Sequence, residues 1–568
     1  MRRRDVAALG FAAFGLPASA MEASFSVDSE RFIEALWQLD PDAAVAAGRF
    51  EFPNRLTPPG AAQRQRRRAF LKEWLPRFDG LPAASLSPSD RMDATMLGAK
   101  IRSDLWRLDT LREWAWNPAE HNPAGPIDVI LNTDWAPEQQ RVKALHARIR
   151  QLPAFYTEAR KSLSGVTREH TELALQQAPG VLAVLDDVES RAQQLGLGSL
   201  MRTDLQAARH AVAGWQAHLS QLLPSARRSF RLGAALYEPK FQHDIQSARS
   251  ARETYELALQ RREEVLASMQ AQAEALWPTV VGSEPPPADR FARIGRVIAR
   301  LSERHVARER FVDEIRAQIP QLEAWIRQHD LLTLDPTKPL VVRETPEYQR
   351  GVAGAGIEAP GPYRPQDRTY YNVTPLDGLS AEAAESLLRE YNHWILQILN
   401  IHEAIPGHYT QLVYANRAPS KVKALFGNGA MVEGWAVYGE RMMIESGYGA
   451  QNGEGAEMTL MWGKWHLRSV TNTILDYSVH VLGMGEKDAL DLLTRQAFQT
   501  EREAAEKWRR VQLTSVQLTS YFSGYSEIFA LREALKAQSG FSLKAFHEQF
   551  LSYGSAPVRL IAAEMLKA

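Results

Sequence analysis

Apolar residues recur three and four positions apart from about Asp28 to Asp330, in a sequence rich in Ala, Leu, Gln, Arg and Glu. This spacing places the apolar side chains on one face of a helix. We therefore predict that residues 21–335 form an N-terminal lobe of packed amphipathic helices.

The pattern changes near Leu331. Two short β-branched and aromatic runs, Pro339 to Arg343 and Thr369 to Val373, are bounded by Pro and Gly and are typical of strands. Helical spacing resumes after Ser380, which is a favourable N-cap residue, and continues to the C-terminus. We predict a mainly α, two-lobed protein whose second lobe, residues 336–568, carries a small β-sheet at the cleft.

The length of 568 residues suits one large lobed enzyme or about two to four domains. Lys and Arg together number 67, as do Asp and Glu, so the charge balance does not favour nucleic acid or an anionic membrane as a partner. No later segment approaches the length of a membrane span. A small or peptidic partner is expected, and the sequence does not indicate an oligomeric state.

The chain contains no cysteine. Disulfides, thiol nucleophiles and thiolate zinc sites are therefore excluded, and histidine and carboxylate side chains remain as the strong metal ligands.

The N-terminus has the order of a secretory signal. Three arginines follow Met1, a weakly apolar stretch runs from Val6 to Leu16, and the small residues before Ala20 suit a cleavage site. The paired arginines also resemble a twin-arginine signal. We predict that residues 1–20 are a signal peptide and that the mature protein is exported, to the periplasm if the host has two membranes.

His402 lies on the apolar stripe of the helix predicted after Ser380, in step with Leu388, Ile395 and Ile398. The run from His402 through Glu403 to His408 resembles the zincin motif, in which two histidines bind zinc and a glutamate activates its water. The two histidines are six positions apart rather than four, which is about 120° around a regular helix instead of about 40°.

Pro406 and Gly407 can distort the helix between the two histidines and so bring them together despite this spacing. Proline removes a backbone donor and clashes with the carbonyl of His402, while glycine permits unusual dihedrals. We predict a bulge in the helix that loops out two residues and returns His408 to the face of His402. The alternative is a helix end with a capped core histidine.

Glu433 lies 25 residues after His408, far enough for an antiparallel helix to return. It is predicted to complete a His, His, Glu zinc site with one position open for water. Glu440 lies on the same helical face as Glu433 and is a candidate partner for a zinc ligand.

Tyr521 and Tyr525 lie in a helical segment and offer a phenol that can donate to the oxyanion at a scissile carbonyl. Asp476 and His480 form an i, i+4 pair. The two side chains either cap and brace one another or orient zinc ligands and substrate, and we favour mutual bracing.

The chain resembles the bacterial domain-of-unknown-function 885 family, which is similar to thermolysin-like (gluzincin) zinc metallopeptidases of the carboxypeptidase Taq and oligopeptidase type. The resemblance covers about Val342 to Ala568. One departure is Ser515-Val516-Gln517, where the family more often has Pro-Gly-Gln, so the next helix is expected to begin earlier or to lack its usual turn. The motifs that carry the resemblance are Tyr370-Tyr371-Asn372 with Pro375-Leu376-Asp377, His402 to Gln411, Glu433 to Tyr438, Leu475-Asp476 with His480, Tyr521 with Gly524, and Phe546-His547 with Gly554 and Pro557.

The resemblance implies a zincin-like fold and one zinc ion per chain, held by His402, His408 and Glu433. It further implies that Glu403 is the general base and then the acid, and that Tyr521 stabilises the transition state. By analogy with the family's relatives, the strand that contains Tyr371 is expected to hold an extended peptide by strand addition.

We expect hydrolysis of short peptides in an exported compartment. Arg468 and Arg532 are candidates for gripping a peptide carboxylate, although helix pairing is as good an interpretation of each. Two alternatives remain: a metal-dependent amidase or esterase acting on a small metabolite, and a non-catalytic helical periplasmic binding protein.

Overall fold

The chain folds mainly into α-helices. The computed structural model describes residues 18–338, 340–345, 354–364, 368–418 and 420–567. The predicted signal peptide therefore lies outside the described residues, apart from residues 18–20, which begin the first helix. Within the described ranges, no helix combines the length and apolarity needed to cross a bilayer.

The predicted helical character before residue 335 is confirmed. The helices of this half are α1 Ala18–Leu39, α2 Pro41–Ala46, α3 Ala61–Asp79, α4 Pro88–Trp106, α5 Glu113–Trp116, α6 Ala124–Asn132, α7 Glu138–Ile149, α8 Leu152–Ser162, α9 Arg168–Gln194, α10 Gly198–Leu222, α11 Ala234–Asp244, α12 Ala251–Val280, α13 Arg290–Leu301 and α14 Phe311–Gln328.

The second half holds a small sheet followed by further helices. These helices are α15 Ala381–Glu390, α16 His393–Glu403, α17 His408–Arg417, α18 Lys421–Leu425, α19 Gly429–Glu445, α20 Gly455–His480, α21 Glu486–Thr494, α22 Glu501–Leu513, α23 Ser520–Lys536, α24 Leu543–Ser552 and α25 Val558–Met565.

The sheet has three strands in the order β1-β3-β2, where β1 is Leu340–Glu344, β2 is Ala355–Glu358 and β3 is Thr369–Val373. Strand β3 pairs in parallel with β1 and antiparallel with β2, with Tyr371 opposite Ile357 in β2. Because β3 is the central strand, it has no free edge, so strand addition of a peptide at Tyr370 to Val373 is a wrong prediction.

The helix predicted to run unbroken from Ser380 to His402 is two helices. Ser380 caps α15 as predicted, since its side chain accepts a hydrogen bond from Ala383 N. Asn392 then starts α16, because its side chain accepts from the backbone N–H groups of Trp394 and Ile395. Because α16 starts anew at Asn392, the apolar spacing of α15 does not determine which way His402 faces. His402 lies in the last turn of α16.

Most of the interior lies in the two larger of three hydrophobic clusters among the described residues. The larger cluster includes side chains from Phe25 in α1 to Met565 in α25, and the smaller one runs from Val45 to Leu219. The larger cluster draws helices from both sides of residue 335. The division of the chain into lobes at that position stays a prediction.

Candidate metal centre

The segment between the two motif histidines ends one helix and starts another. After Glu403, the N–H of Ile405 bonds to the carbonyl of Asn400 at 3.2 Å, and that of Gly407 bonds to the carbonyl of Ile401 at 2.9 Å. These bonds reach back five and six residues instead of four, so the chain makes a wide turn. The predicted bulge inside a continuous helix is therefore wrong, because α16 stops and α17 begins at His408.

Gly407 is required by the close approach of this turn to α16. A Cβ atom at position 407 would lie 1.8 Å from the carbonyl oxygen of His402, where no side chain fits. The turn is also tied to α19, because the indole N–H of Trp435 donates to the carbonyl of Pro406 at 2.8 Å. This turn brings His408 back beside His402.

The two imidazoles face a single carboxylate oxygen. The ring centroids of His402 and His408 are 4.7 Å apart and the rings are nearly perpendicular, at 85°. Oε2 of Glu433 lies 3.8 Å from Nε2 of His402 and 3.5 Å from Nε2 of His408. These contacts are too long for ordinary hydrogen bonds, and Oε2 is buried without a hydrogen-bond partner among the described residues.

This arrangement fits a tetrahedral zinc ion. Ligand atoms that each lie about 2.0–2.1 Å from zinc are about 3.4 Å apart in a tetrahedron. The separations of 3.5 and 3.8 Å are close to that value. Two imidazole nitrogens and one carboxylate oxygen are also a donor set that zinc accepts, with a further position left for water.

Glu403 lies at the same place. Ligand atoms of His402, Glu403 and His408 all lie within 4.8 Å of one another. The Glu403 side chain is partly exposed, unlike that of His402, which is buried. Its carboxylate is thus beside the imidazoles and partly open to solvent.

Glu440 contacts the far side of the His402 ring. Its Oε1 lies 2.7 Å from Nδ1 of His402 and accepts a second hydrogen bond from the Trp465 indole at 2.9 Å. Glu440 is fully buried, and it lies two helical turns after Glu433 on α19. Such a contact fixes the ring so that Nε2 points toward Glu433. The sequence analysis missed Trp465, which comes from the separate helix α20.

The electrostatics suit a metal-binding carboxylate. Burial alone would raise the pKa of Glu433, but the imidazoles of His402 and His408 outweigh burial and hold that pKa well below its usual range. Burial likewise raises the pKa of Glu440, which its contact with His402 partly offsets. Burial would lower the pKa of His402, yet Glu433 and Glu440 raise it well above its ordinary value.

Tyr521 lies beside the same histidine. Its ring centroid is 6.5 Å from that of His402 and the two rings are within 25° of parallel. Its side chain is partly exposed, and its hydroxyl lies 3.5 Å from Nη2 of Arg510. The structure therefore brings the predicted transition-state donor to the edge of the site.

Two glycines set the distance between the helix that carries Glu433 and the helix that carries Tyr521. A Cβ atom on Gly524 of α23 would lie 1.7 Å from the carbonyl oxygen of Ala430 in α19. A Cβ atom on Gly434 would lie 2.5 Å from Cα of Gly524. Any larger residue at either position would force the helices apart.

Asp476 and His480 brace the segment that leads to Tyr521. The Asp476 carboxylate accepts hydrogen bonds from the backbone N–H groups of Val516 at 3.1 Å and Leu518 at 3.2 Å. His480 is 3.9 Å from Asp476 and lies 2.9 Å from the carbonyl of Thr514. Within the described residues, these contacts lie under the turn before α23 and away from the histidine pair.

The turn before α23 is present despite its unusual sequence. Val516 has a φ of 71°, which is the conformation that the family's more frequent glycine adopts without strain. Gln517–Thr519 then form a short 3-10 helix before α23 begins at Ser520. A turn is therefore present before α23, and the expectation that α23 begins earlier than in other family members stays a prediction.

Three other predicted site residues serve as structural supports. Tyr371 is fully buried and donates a hydrogen bond to Oδ1 of Asn400 in α16 at 3.0 Å. Tyr525 is 2% exposed and its hydroxyl accepts from Arg441 at 2.6 Å. Arg532 is 5% exposed and paired with Glu445 at 2.6 Å, so it is not free to bind a substrate carboxylate.

Arg468 differs from these three. Its guanidinium carbon lies 4.5 Å above the ring of Trp465, next to the site, and its side chain keeps 20% of its surface exposed. It pairs with Glu503 at 2.5 Å.

Two solved structures share this fold. One, described as a "putative lipoprotein of unknown function from Shewanella oneidensis", is 46% identical with a TM-score of 0.88, over 95% of this chain and 99% of that chain. A second, described as a "putative lipoprotein from Colwellia psychrerythraea", is 15% identical with a TM-score of 0.79, over 97% of this chain and 99% of that chain. The second likeness shows the fold alone.

No curated protein matches the chain. A family model, described as "Bacterial protein of unknown function (DUF885)", matches residues 41–565. The chain therefore belongs to the DUF885 family.

Proposed function

We propose that this protein is a zinc-dependent hydrolase that cleaves peptide bonds in short peptides. The observation that carries the proposal is the convergence of the His402 and His408 Nε2 atoms on one unpartnered oxygen of Glu433, at 3.8 and 3.5 Å. His402, His408 and Glu433 would hold the metal. When bound there, zinc would supply a Lewis acid that lowers the pKa of a water and polarises the scissile carbonyl.

The chain's own residues supply the proton transfers. Glu403 takes the proton from the attacking water and passes it to the leaving amine. Tyr521 donates a hydrogen bond to the oxyanion, which is a role that its place beside His402 supports. Glu440, with Trp465, keeps the His402 ring oriented throughout.

Peptide bonds are preferred as the substrate because the motif residues resemble those of thermolysin-like and carboxypeptidase Taq-type peptidases. The same donor set and base would hydrolyse a small amide or ester equally well. The preference between these substrates therefore depends on the resemblance, and the experiment below includes both.

We further propose that the mature protein acts outside the cytoplasm. The signal-like pattern of residues 1–20 and the 46%-identical Shewanella structure, which is described as a putative lipoprotein, support export.

The test is metal content and hydrolysis by the purified protein, measured in parallel with Glu403→Gln. We expect about one zinc per chain in both proteins, because Gln removes the base and leaves His402, His408 and Glu433 intact. Hydrolysis of a peptide library should fall by a factor of about 10²–10⁴ in the variant. Glu486→Gln, an exposed change at the start of α21, is the matched control and should keep full activity.

Other results would contradict parts of the proposal. Stoichiometric zinc with hydrolysis of small amides or esters but of no peptide would replace the peptidase by the amidase or esterase. Failure to bind metal after reconstitution would remove the catalytic site and leave a helical binding protein.

A further inference from the structure

A row of positively charged side chains flanks the metal centre. Lys464 and Arg468 come from α20, and Lys507 and Arg510 come from α22. Glu503, Lys507 and Arg510 are spaced at i, i+4 and i+7, so they share one face of α22. We call Arg468, Lys507 and Arg510 the cationic row.

Both ends of the row touch residues that pack beside His402. At one end, the guanidinium of Arg468 lies 4.5 Å above the ring of Trp465, and that ring is 6.4 Å from the ring of His402. At the other end, Arg510 lies 3.5 Å from the hydroxyl of Tyr521, whose ring is 6.5 Å from that of His402. The row therefore runs along one side of the site.

The row has more positive charge than its carboxylates can match. Glu390 pairs with Lys464 at 2.8 Å, and Glu503 pairs with Arg468 at 2.5 Å. Lys507 is left 3.9 Å from the same Glu503 oxygen, which is too far for a hydrogen bond. Glu390 also lies 3.6 Å from Nη1 of Arg468. Two carboxylates are thus shared among Lys464, Arg468 and Lys507, and within the described residues no ion pair joins Arg510 to either one.

Much of the excess positive charge is buried, where an unpaired charge is unfavourable. Lys507 is 7% exposed, and burial together with the nearby Arg468 lowers its pKa to about 7. Nη1 of Arg468 is buried and has no hydrogen-bond partner among the described residues. Lys464, Arg468 and Lys507 share only two carboxylates in this mostly buried cluster, so an incoming anion is stabilised here.

We propose that the cationic row binds a carboxylate of the substrate, so that the enzyme prefers peptides with a free carboxyl group close to the scissile bond. This inference rests on the proposed function. An extended residue spans about 3.5 Å, so the row is within reach of a group one to three residues from the metal centre. The carboxylate has two sources in peptides: the C-terminus and an Asp or Glu side chain.

The test compares substrates that differ only in this group. Hydrolysis is measured on a short neutral peptide as its free acid and as its C-terminal amide, and on amidated peptides that carry Glu or Gln. We expect the wild-type protein to favour the carboxylate member of one pair by about tenfold in kcat/KM. Preference for the free acid assigns the C-terminus, and preference for Glu over Gln assigns the side chain.

Lys507→Met is the main variant, because Met keeps the length of the buried stem and removes the charge next to Arg468. Arg510→Gln is the second variant and lies on an exposed residue, so folding is not at risk. Both should lower the preference to less than about threefold, and the ratio of two substrates cancels any general loss of activity. Lys487→Met, on the exposed face of α21, is the control and should keep the preference.

Binding to the Glu403→Gln protein, measured by calorimetry with the same peptide pairs, separates the two proposals. If the wild-type protein hydrolyses no peptide but Glu403→Gln still binds the carboxylate member more tightly, the peptidase function is wrong and the carboxylate site stands. Equal binding and equal hydrolysis of both members would overturn the carboxylate site, as would an unchanged preference in Lys507→Met and Arg510→Gln.

Discussion

Val516 shows how a single residue positions the site. It is a buried β-branched residue with a φ of 71°, a conformation that costs about 1–2 kcal/mol for a residue with a Cβ atom. The Asp476 carboxylate accepts a hydrogen bond from its N–H at 3.1 Å and helps to hold this conformation. The strained turn leads directly into the helix that carries Tyr521.

Replacing Val516 by Ala and by Gly should therefore give an unusual order of stability. Both variants remove the buried side chain, but only Gly adopts the positive φ without strain. We expect Val516→Gly to be more stable than Val516→Ala by about 1 kcal/mol in the free energy of unfolding, measured by chemical denaturation.

The same pair of substitutions at Val511, a buried position inside α22, is the control. There Ala should be more stable than Gly by about 1 kcal/mol, because the backbone is helical. The same order at both positions would show that Val516 is not strained.

Residue spacing in the sequence was enough to choose the candidate metal ligands and their neighbour Glu440. The structure brings His402, His408, Glu433 and Glu440 together. Trp465 was not predicted, because its indole contacts Glu440 from a helix whose position is fixed only by tertiary packing. Periodicity within one helix carries no information about such a contact.

At the scale of helices, the crossing of α19 and α23 determines how close Tyr521 lies to the candidate metal ligands. Gly434 and Gly524 let the two backbones touch, with the carbonyl of Ala430 against Gly524. Both glycines lie inside helices, where Gly is unfavourable by about 1 kcal/mol relative to Ala. The close contact compensates for that cost.

Gly524→Ala should therefore be destabilising despite the higher helix propensity of Ala. The added methyl group would meet the Ala430 carbonyl at 1.7 Å, so the helices must separate. We expect a loss of about 1–3 kcal/mol in unfolding free energy, together with reduced hydrolysis as Tyr521 moves from His402.

Gly180→Ala in α9 is the matched control, since a Cβ atom there would meet nothing within 4 Å. It should raise stability by about 0.5–1 kcal/mol and leave hydrolysis unchanged. A stabilising Gly524→Ala would mean that the helices can separate without cost.

The sequence predicted helix existence better than helix ends and contacts. The break at Asn392 was missed because the apolar spacing continues through it, although an Asn side chain can cap a new helix. The central position of β3 was missed because its partner β2 is short and glycine-containing, which gives a weak strand signal.

Across the whole molecule, buried neutral histidines link stability to pH. His547 is fully buried between the Tyr438 hydroxyl at 2.8 Å and the Leu331 carbonyl at 2.8 Å. A carbonyl only accepts, so Nδ1 donates to it and Nε2 accepts from the tyrosine. Burial lowers the pKa of His547 to about 4, and it does the same for His121.

The unfolded chain binds a proton at these positions near pH 6.5, whereas the folded chain does not until about pH 4. The stability that these neutral histidines contribute should therefore be fully present above pH 6.5 and be lost as the pH drops toward 4. His547→Gln keeps a donor and an acceptor but does not titrate. Between pH 7 and 4.5, the unfolding free energy of this variant should fall by about 2 kcal/mol less than that of the wild-type protein, measured by urea denaturation.

His210→Gln, an exposed change on α10, serves as the control and should keep the wild-type dependence on pH. An identical pH dependence for His547→Gln would show that His547 is not neutral in the folded protein.

The larger hydrophobic cluster also determines when folding can be completed during synthesis. Its members run from Phe25 in α1 to Ile561 and Met565 in α25, and an ion pair of 3.7 Å joins Arg91 in α4 to Glu564 in α25. Among the described helices α25 is synthesised last, so this interior is not complete until α25 has left the ribosome. The final packing of the helices around the candidate metal centre therefore waits for α25.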